Sequence, residues 1–187
     1  MKKNRLSVYA ALLLFFATTP SSLVAQAKPD ARESETVKVS GLVENPFIIT
    51  AQNVKQMPVV QRKNGAIVCA SGETRRTLQT FTGVLLRDIL DSAKIAMPNH
   101  RERGEYLVLV RSSDSYNVLF SYDELYYGAA GDDIVLVFEE NGKPIENEGP
   151  FMLFCTSDKI TGPRLVKWVD RIEVSKVSIT SLASAGR

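Results

Sequence analysis

The chain has 187 residues, with 23 Lys and Arg against 21 Asp and Glu, and one histidine. So even a charge balance gives no electrostatic case for nucleic acid or an anionic membrane surface as partner. The lone His100 has no Cys, His or Asp at ligand spacing, which argues against a zinc centre and makes any Ser/His/Asp or Cys/His triad hang on one loop residue.

The N-terminus reads as a targeting segment. Lys2, Lys3 and Arg5 precede a mostly apolar run from Val8 to Thr18, and Ala25-Gln26-Ala27 is a small-x-small cleavage site. A signal peptide over 1–27 is expected, with export to the periplasm or outside the cell. The apolar run is too short to span about 30 Å of hydrocarbon, so the chain is not expected to be membrane-spanning itself. No Cys follows that run, which argues against a bacterial lipoprotein. Cleavage would remove three basic residues and no acidic ones, taking the formal charge from +2 to −1. The remaining length suits one domain with a real core. Two cysteines remain, Cys69 and Cys155; an exported compartment permits a bridge between them, and two buried thiols is the equal alternative.

Residues 28–36 read as a mobile lead-in. Val37, Val39, Leu42 and Val43 mark a first strand interrupted by Gly41, and Phe47-Ile48-Ile49 a second. Thr50 can cap a short helix over Ala51 to Lys55, closed by Pro58. A strand ending Ala66-Ile67-Val68-Cys69, a turn at Ser71-Gly72-Glu73-Thr74 and a return over Thr77 to Phe81 form a hairpin. Gly83 is expected to break that strand. Val84, Leu85, Ile89, Leu90 and Ala93 then recur at helical spacing, with Arg87, Asp88 and Asp91 outward.

Tyr106 to Val110 and Tyr116 to Phe120 form a hairpin about Ser112-Ser113-Asp114-Ser115. Ser121-Tyr122-Asp123-Glu124 is a capping box, in which the Ser121 hydroxyl and Glu124 carboxylate satisfy each other's backbone N–H. Ile134 to Phe138 is a continuous apolar strand and Asn141-Gly142 a hairpin turn. Phe151 to Phe154 feeds a polar loop through Gly162-Pro163, and an apolar-alternating run to Val174 follows. Residues 175–187 read as a C-terminal tail. Strands dominate and helices are few and short, which is α+β.

The loop after Phe154 gathers Ser157, Asp158, Lys159, Arg164 and Lys167. These residues could grip a polar, partly anionic ligand; a solvated loop between two core strands explains them as well. There is no phosphate-cradling Gly-rich loop, since Gly128-Ala129-Ala130-Gly131 lacks that pattern. Trp168, between Val166 and Val169, suits plain core packing.

Taken together the motifs point further. In order they are Val39-Ser40-Gly41-Leu42-Val43-Glu44-Asn45-Pro46, Cys69 at a strand end, and Phe81-Thr82-Gly83-Val84-Leu85-Leu86-Arg87-Asp88-Ile89-Leu90. Ser113-Asp114-Ser115-Tyr116 with Glu124, Asn141-Gly142-Lys143-Pro144-Ile145, Gly149-Pro150, and Arg164 to Trp168 running on to Val174 complete them. This succession resembles the molybdopterin-binding domain of the sulfite oxidase family, over about residues 37–174. The resemblance implies an α+β domain that cradles pterin or molybdopterin. In the family's enzymes a cysteine thiolate binds molybdenum, and Cys69 falls close to that position; a thiolate is a soft ligand suited to such a metal.

The Ser113-Asp114-Tyr116 hairpin and the Asp158 to Lys167 loop would then line the pterin. Asp114 or Asp158 could accept two hydrogen bonds from the ring's amino-pyrimidine edge, Tyr116 could stack on its face, and Arg164 or Lys167 could meet a carbonyl or phosphate. Cys155 has no role implied. The departures are a short lead-in without His or Asn, a compact Ala70-Ser71-Gly72-Glu73 turn after Cys69, and Ser115 where the family has a hairpin glycine. Arg75 and Arg76 are oxyanion candidates by charge alone, with a solvated hairpin preferred. The family also has small exported members thought to bind a pterin without molybdenum chemistry, some of them sensors for a membrane signalling protein. The expected function is therefore an exported, non-catalytic pterin-binding module, with a signalling or redox protein as partner. A molybdenum oxidoreductase with Cys69 as metal ligand is the alternative, and a domain with a vestigial pocket the third reading.

Overall fold

The computed structural model describes residues 34–178, in which ten strands, two α-helices and short 3₁₀ turns build an α+β domain. The first sheet has the order β2-β1-β10-β5-β6, from Phe47–Ile49 (β2), Val37–Gly41 (β1), Val169–Lys176 (β10), Tyr106–Ser112 (β5) and Asn117–Ser121 (β6). Only β1 and β10 run parallel in it, bringing the two ends of the described chain side by side. The second sheet runs β3 (Val59–Val68), β4 (Thr74–Leu85), β7 (Ile134–Glu140), with β8 (Lys143–Pro144) and β9 (Met152–Cys155) both pairing with β7.

The main core lies between the sheets and takes in helix α1, Leu86–Ala93. Leu86, Ile89 and Leu90 are fully buried there, each worth about 1.5–3 kcal/mol against exposure. A second cluster covers the other face of the second sheet, which explains the unbroken apolar run in β7. Ile134, Leu136 and Phe138 face the main core, while Val135 and Val137 join Phe81, Met152 and Phe154 behind.

Several local expectations need correction. Gly83 does not break its strand: β4 runs on to Leu85, so Val84 and Leu85 are strand and the helix begins at Leu86. The glycine sits at a register shift between Thr82 and Gly83 where the β7 backbone comes so close that a Cβ would collide with the Leu136 carbonyl. The helix expected over Ala51 to Lys55 is a 3₁₀ turn at Val54–Gln56; Thr50 and Asn53 do exchange side-chain bonds to each other's N–H ahead of it. The Ser121 hydroxyl accepts from Glu124 N–H at 3.1 Å as a cap for helix α2, Tyr122–Tyr126, but Glu124 does not complete the box. Its carboxylate goes to Arg164 instead. Ser175 and Lys176, read as tail, belong to β10. The signal peptide, most of the lead-in and residues 179–187 lie outside the described residues.

Candidate functional site

Four connections converge on one end of the second sheet: the β3–β4 turn, the β5–β6 hairpin, the 145–150 segment before β9, and the long β9–β10 loop. Thr161 fastens the first to the last. Its buried hydroxyl donates to Ala66 C=O at 2.7 Å and accepts from Val68 N–H at 2.8 Å. A 3₁₀ turn at Gly162–Arg164 then passes so near β3 that a Cβ on Gly162 would lie 2.7 Å from the Val68 carbonyl and 3.5 Å from Cys69 Cα. The β5–β6 hairpin docks on the same loop. Ser112 Oγ donates to Lys167 C=O at 2.6 Å, Ser113 N–H to Trp168 C=O at 3.0 Å, and Tyr116 Oη to Pro163 C=O at 2.5 Å.

Between these pieces opens a cleft of about 340 Å³, lined by Ile67, Cys69, Arg75, Arg76, Glu148 and Lys167 among others. Cys69 lies one residue past β3, where its N–H and C=O close the turn with Glu73 C=O and Gly72 N–H. Its thiol is half-buried, unbridged, and accepts from Arg75 Nε at 3.0 Å. Cys155 is also a free thiol and fully buried, so two thiols rather than a bridge is the outcome here. Burial pushes the Cys155 thiol up.

Glu148 is the organising charge of the cleft. Its residue is 9% exposed, and its carboxylate accepts from Arg76 Nη2 at 2.5 Å and Lys167 Nζ at 2.6 Å. Arg76 also reaches both Glu140 oxygens at 3.0 and 3.1 Å. The Glu148 backbone is held from behind: Trp168 N–H donates to its carbonyl at 2.7 Å, and Gly149, at φ +79°, lies where a Cβ would sit 2.6 Å from the Trp168 ring. Trp168 itself is only half-buried, at φ +47°, and packs on this loop rather than in the core.

The expected site residues therefore divide. Cys69 and Lys167 reach the cleft. Ser113, Asp114 and Tyr116 sit on the adjoining hairpin, where Asp114 Oδ1 accepts Tyr116 N–H at 2.9 Å and shapes the turn. Tyr116 keeps a half-exposed ring, 44% accessible. Asp158 and Arg164 point away, into a separate node. Arg164 donates Nε and Nη2 to the two Asp158 oxygens at 2.7 and 2.5 Å and Nη1 to Glu124 at 2.5 Å. Its Nη2 also lies 3.4 Å from Cys155 Sγ, and the guanidinium is 5.0 Å from the Phe120 ring centroid. The reading of this pair as ligand-gripping or solvated loop residues gives way to an inward ion cluster, because the 3₁₀ turn carries Arg164 back over β9. Burial alone would push the Asp158 carboxyl up, but the Arg164 hydrogen bonds and charge outweigh it and hold it below the ordinary carboxylate range. Hydrogen bonding to Asp158 in turn raises Arg164.

Sequence reasoning passed over Glu148 and Thr161 and read Arg76 as solvated. Glu148 precedes a Gly-Pro before a buried strand and Thr161 precedes another, the one local hint that these segments turn back on the domain. Among the described residues no three His, Cys, Asp or Glu side chains gather where they could hold a metal ion, and His100 opens an exposed 3₁₀ turn.

The sulfane dehydrogenase SoxCD from Paracoccus pantotrophus superposes on 81% of this chain and 40% of its own, with a TM-score of 0.54 and 20% identity, which establishes likeness of fold. In sequence the chain is 25% identical to a nitrate reductase [NADH] of Volvox carteri, over 75% of this chain and 19% of that protein. It is 24% identical to the uncharacterized oxidoreductase YuiH of Bacillus subtilis (strain 168), over 75% of this chain and 65% of that one. The chain thus spans a fifth to two thirds of the length of these relatives. The family described as the oxidoreductase molybdopterin binding domain matches residues 25–182, and the chain belongs to it.

Proposed function

We propose that this chain is an exported module that holds molybdopterin against the Cys69 cleft, with the Cys69 thiolate as the one soft protein donor offered to the cofactor's molybdenum. The observation that carries this reading is an unbridged, half-buried thiol opening on a cleft of ligand size, beside Arg75, Arg76 and Lys167. The donor set fits the group. A thiolate suits a soft metal, and the cations beside it, each already paired with a carboxylate, can still donate to a ring carbonyl. When bound, the cofactor would supply two-electron redox chemistry at the metal; the chain's residues position and shield it.

One observation favours a second reading, pterin binding without catalysis: the Cys69 thiol already accepts a hydrogen bond from Arg75 within the protein. A signalling or redox protein as its partner rests on the resemblance alone. Protein isolated from a molybdenum-replete host separates the two. Near-stoichiometric molybdenum that disappears in Cys69→Ser supports the first, and pterin in the denatured extract without metal supports the second. Neither pterin nor metal would remove both. Export rests on the Lys2 to Ala27 pattern. N-terminal sequencing of periplasmic material is expected to begin at or near Lys28, and a Met1 start would sink it.

A further inference from the structure

We propose that Glu148 sets the charge selectivity of the Cys69 cleft: by engaging Arg76 and Lys167 it turns away free oxyanions and leaves the cleft to an uncharged polar substrate group. This rests on the cleft being the cofactor-facing site.

Three cations line the cleft, and each has a carboxylate partner. Arg75 has Glu73 at 3.9 Å, Arg76 has Glu140 and Glu148, and Lys167 has Glu148. Glu148 differs from the other two acids in being almost fully buried and in serving two cations at once. An entering oxyanion would have to break charge-assisted bonds that are already short, or sit against a buried carboxylate where like charges are poorly screened. An uncharged acceptor brings no charge against Glu148, and both cations keep donor capacity beyond their carboxylate bonds, since each side chain stays 39% exposed. The carboxylate cannot readily be withdrawn, since the Glu148 carbonyl is bonded to Trp168 N–H and Gly149 packs on the Trp168 ring. The same Arg76–Glu148 pair also walls the cleft from a second polar cavity of about 570 Å³ toward Asn141 and Lys143. The nitrate reductases to which the chain is similar are named for an oxyanion; the arrangement here argues for a different class.

The test is calorimetric titration of the full chain with sodium sulfate at fixed ionic strength. Wild type is expected to show no saturable binding in the millimolar range. Glu148→Gln, which keeps the shape and removes the charge, is expected to bind at least tenfold more tightly, and adding Lys167→Gln should abolish the gain. Equal affinity in wild type and Glu148→Gln, or tight binding by wild type, overturns the proposal. Should Glu148→Gln not yield folded protein, Glu148→Asp takes its place, with a smaller gain of the same sign expected and no gain counting against. Pterin in the denatured wild-type extract is measured alongside. A gain in affinity on a pterin-free protein leaves the charge selectivity standing and sinks the cofactor reading; a pterin-loaded protein with no gain sinks the selectivity alone.

Discussion

One loop, between β9 and β10, supplies two clusters of charge that do opposite things. Its stretch through Arg164 turns Asp158 and Arg164 inward, where with Glu124 they close a node over Phe120 and Cys155. Its last residues carry Lys167 outward to Glu148 and the Cys69 cleft. In the node, four donor contacts from one guanidinium meet partners from β9, α2 and the loop itself, so the charges stabilise the fold. In the cleft Arg76 and Lys167 stay 39% exposed while paired with Glu148, so they keep N–H groups toward solvent but little unbalanced charge. Sequence proximity grouped them; the direction of a single 3₁₀ turn separates them.

The largest effect that tests this division is Arg164→Ala. Removing one partner from a partly buried pair leaves Asp158 and Glu124 without a counter-charge, and a loss of about 2–4 kcal/mol is expected in denaturant unfolding of the cofactor-free protein. Arg76→Ala should lose less, about 1 kcal/mol, because Arg76 is 39% exposed and Lys167 still faces the buried Glu148 carboxylate. Equal losses in the two would erase the distinction. Arg164→Lys should recover little of the loss, because a point charge cannot replace the two-pronged contact with Asp158.

Asp158 gives the same node a pH signature. Its folded carboxyl binds the proton more weakly than the ordinary value of 3.8. Its contribution is therefore complete above that value and is lost as pH falls through the lower folded value. Unfolding free energy measured from pH 6 down to pH 2 should fall for wild type, with Asp158→Asn starting lower, by about 1–2 kcal/mol, and the gap closing in acid. A gap that persists at pH 2 would remove the ionised pair as its source.

Thr161→Val tests what joins the two clusters. Its hydroxyl bridges Ala66 and Val68 across 95 and 93 residues of sequence. The variant takes the side-chain partner from two part-buried backbone groups, at a cost of about 1–2 kcal/mol. Because Val68 immediately precedes Cys69, the thiol should also react faster with a maleimide reagent than in wild type. An unchanged rate would show that Thr161 does not position Cys69.

How far the chain was legible from sequence follows the range of the contacts. Strand β7 and the Asn141-Gly142 turn were plain, because an unbroken apolar run and two residues suited to positive φ are local signals; both turn residues do adopt it, at 54° and 74°. Val84 and Leu85 read as helix rather than strand because a strand buried on both faces leading straight into a helix has no polar position to fix the period. Cys69 was legible only through the order of motifs around it. Glu148 was not, since its meaning depends on Arg76, 72 residues away, and nothing local to Asn147-Glu148-Gly149 distinguishes a buried carboxylate from a solvated one. Arg164 failed for the complementary reason: a Gly-Pro loop reads as exposed, and the fold tucks it back.

The smallest expected effect lies on the hairpin at the edge of the cleft. Ser115 stands where the resemblance places a glycine, and it adopts φ +75°, a conformation that crowds any Cβ. The turn is otherwise well held: Ser115 N–H donates to Ser112 C=O at 3.0 Å, Asp114 Oδ1 accepts from Tyr116 N–H, and Asn117 Nδ2 donates to Ser115 C=O at 3.0 Å. These bonds over-determine the strained residue rather than relieve it. None of them uses the serine side chain, so Ser115→Gly keeps them all and removes the crowding. Relief of the crowding favours the variant, while the extra freedom of glycine in the unfolded chain opposes it. A net gain of about 0.5–1 kcal/mol is expected in urea unfolding with an unchanged slope. Ser115→Ala, which keeps the Cβ, should be neutral. A gain in alanine equal to that in glycine would trace the effect to the hydroxyl, and the backbone strain at this corner would then contribute nothing measurable.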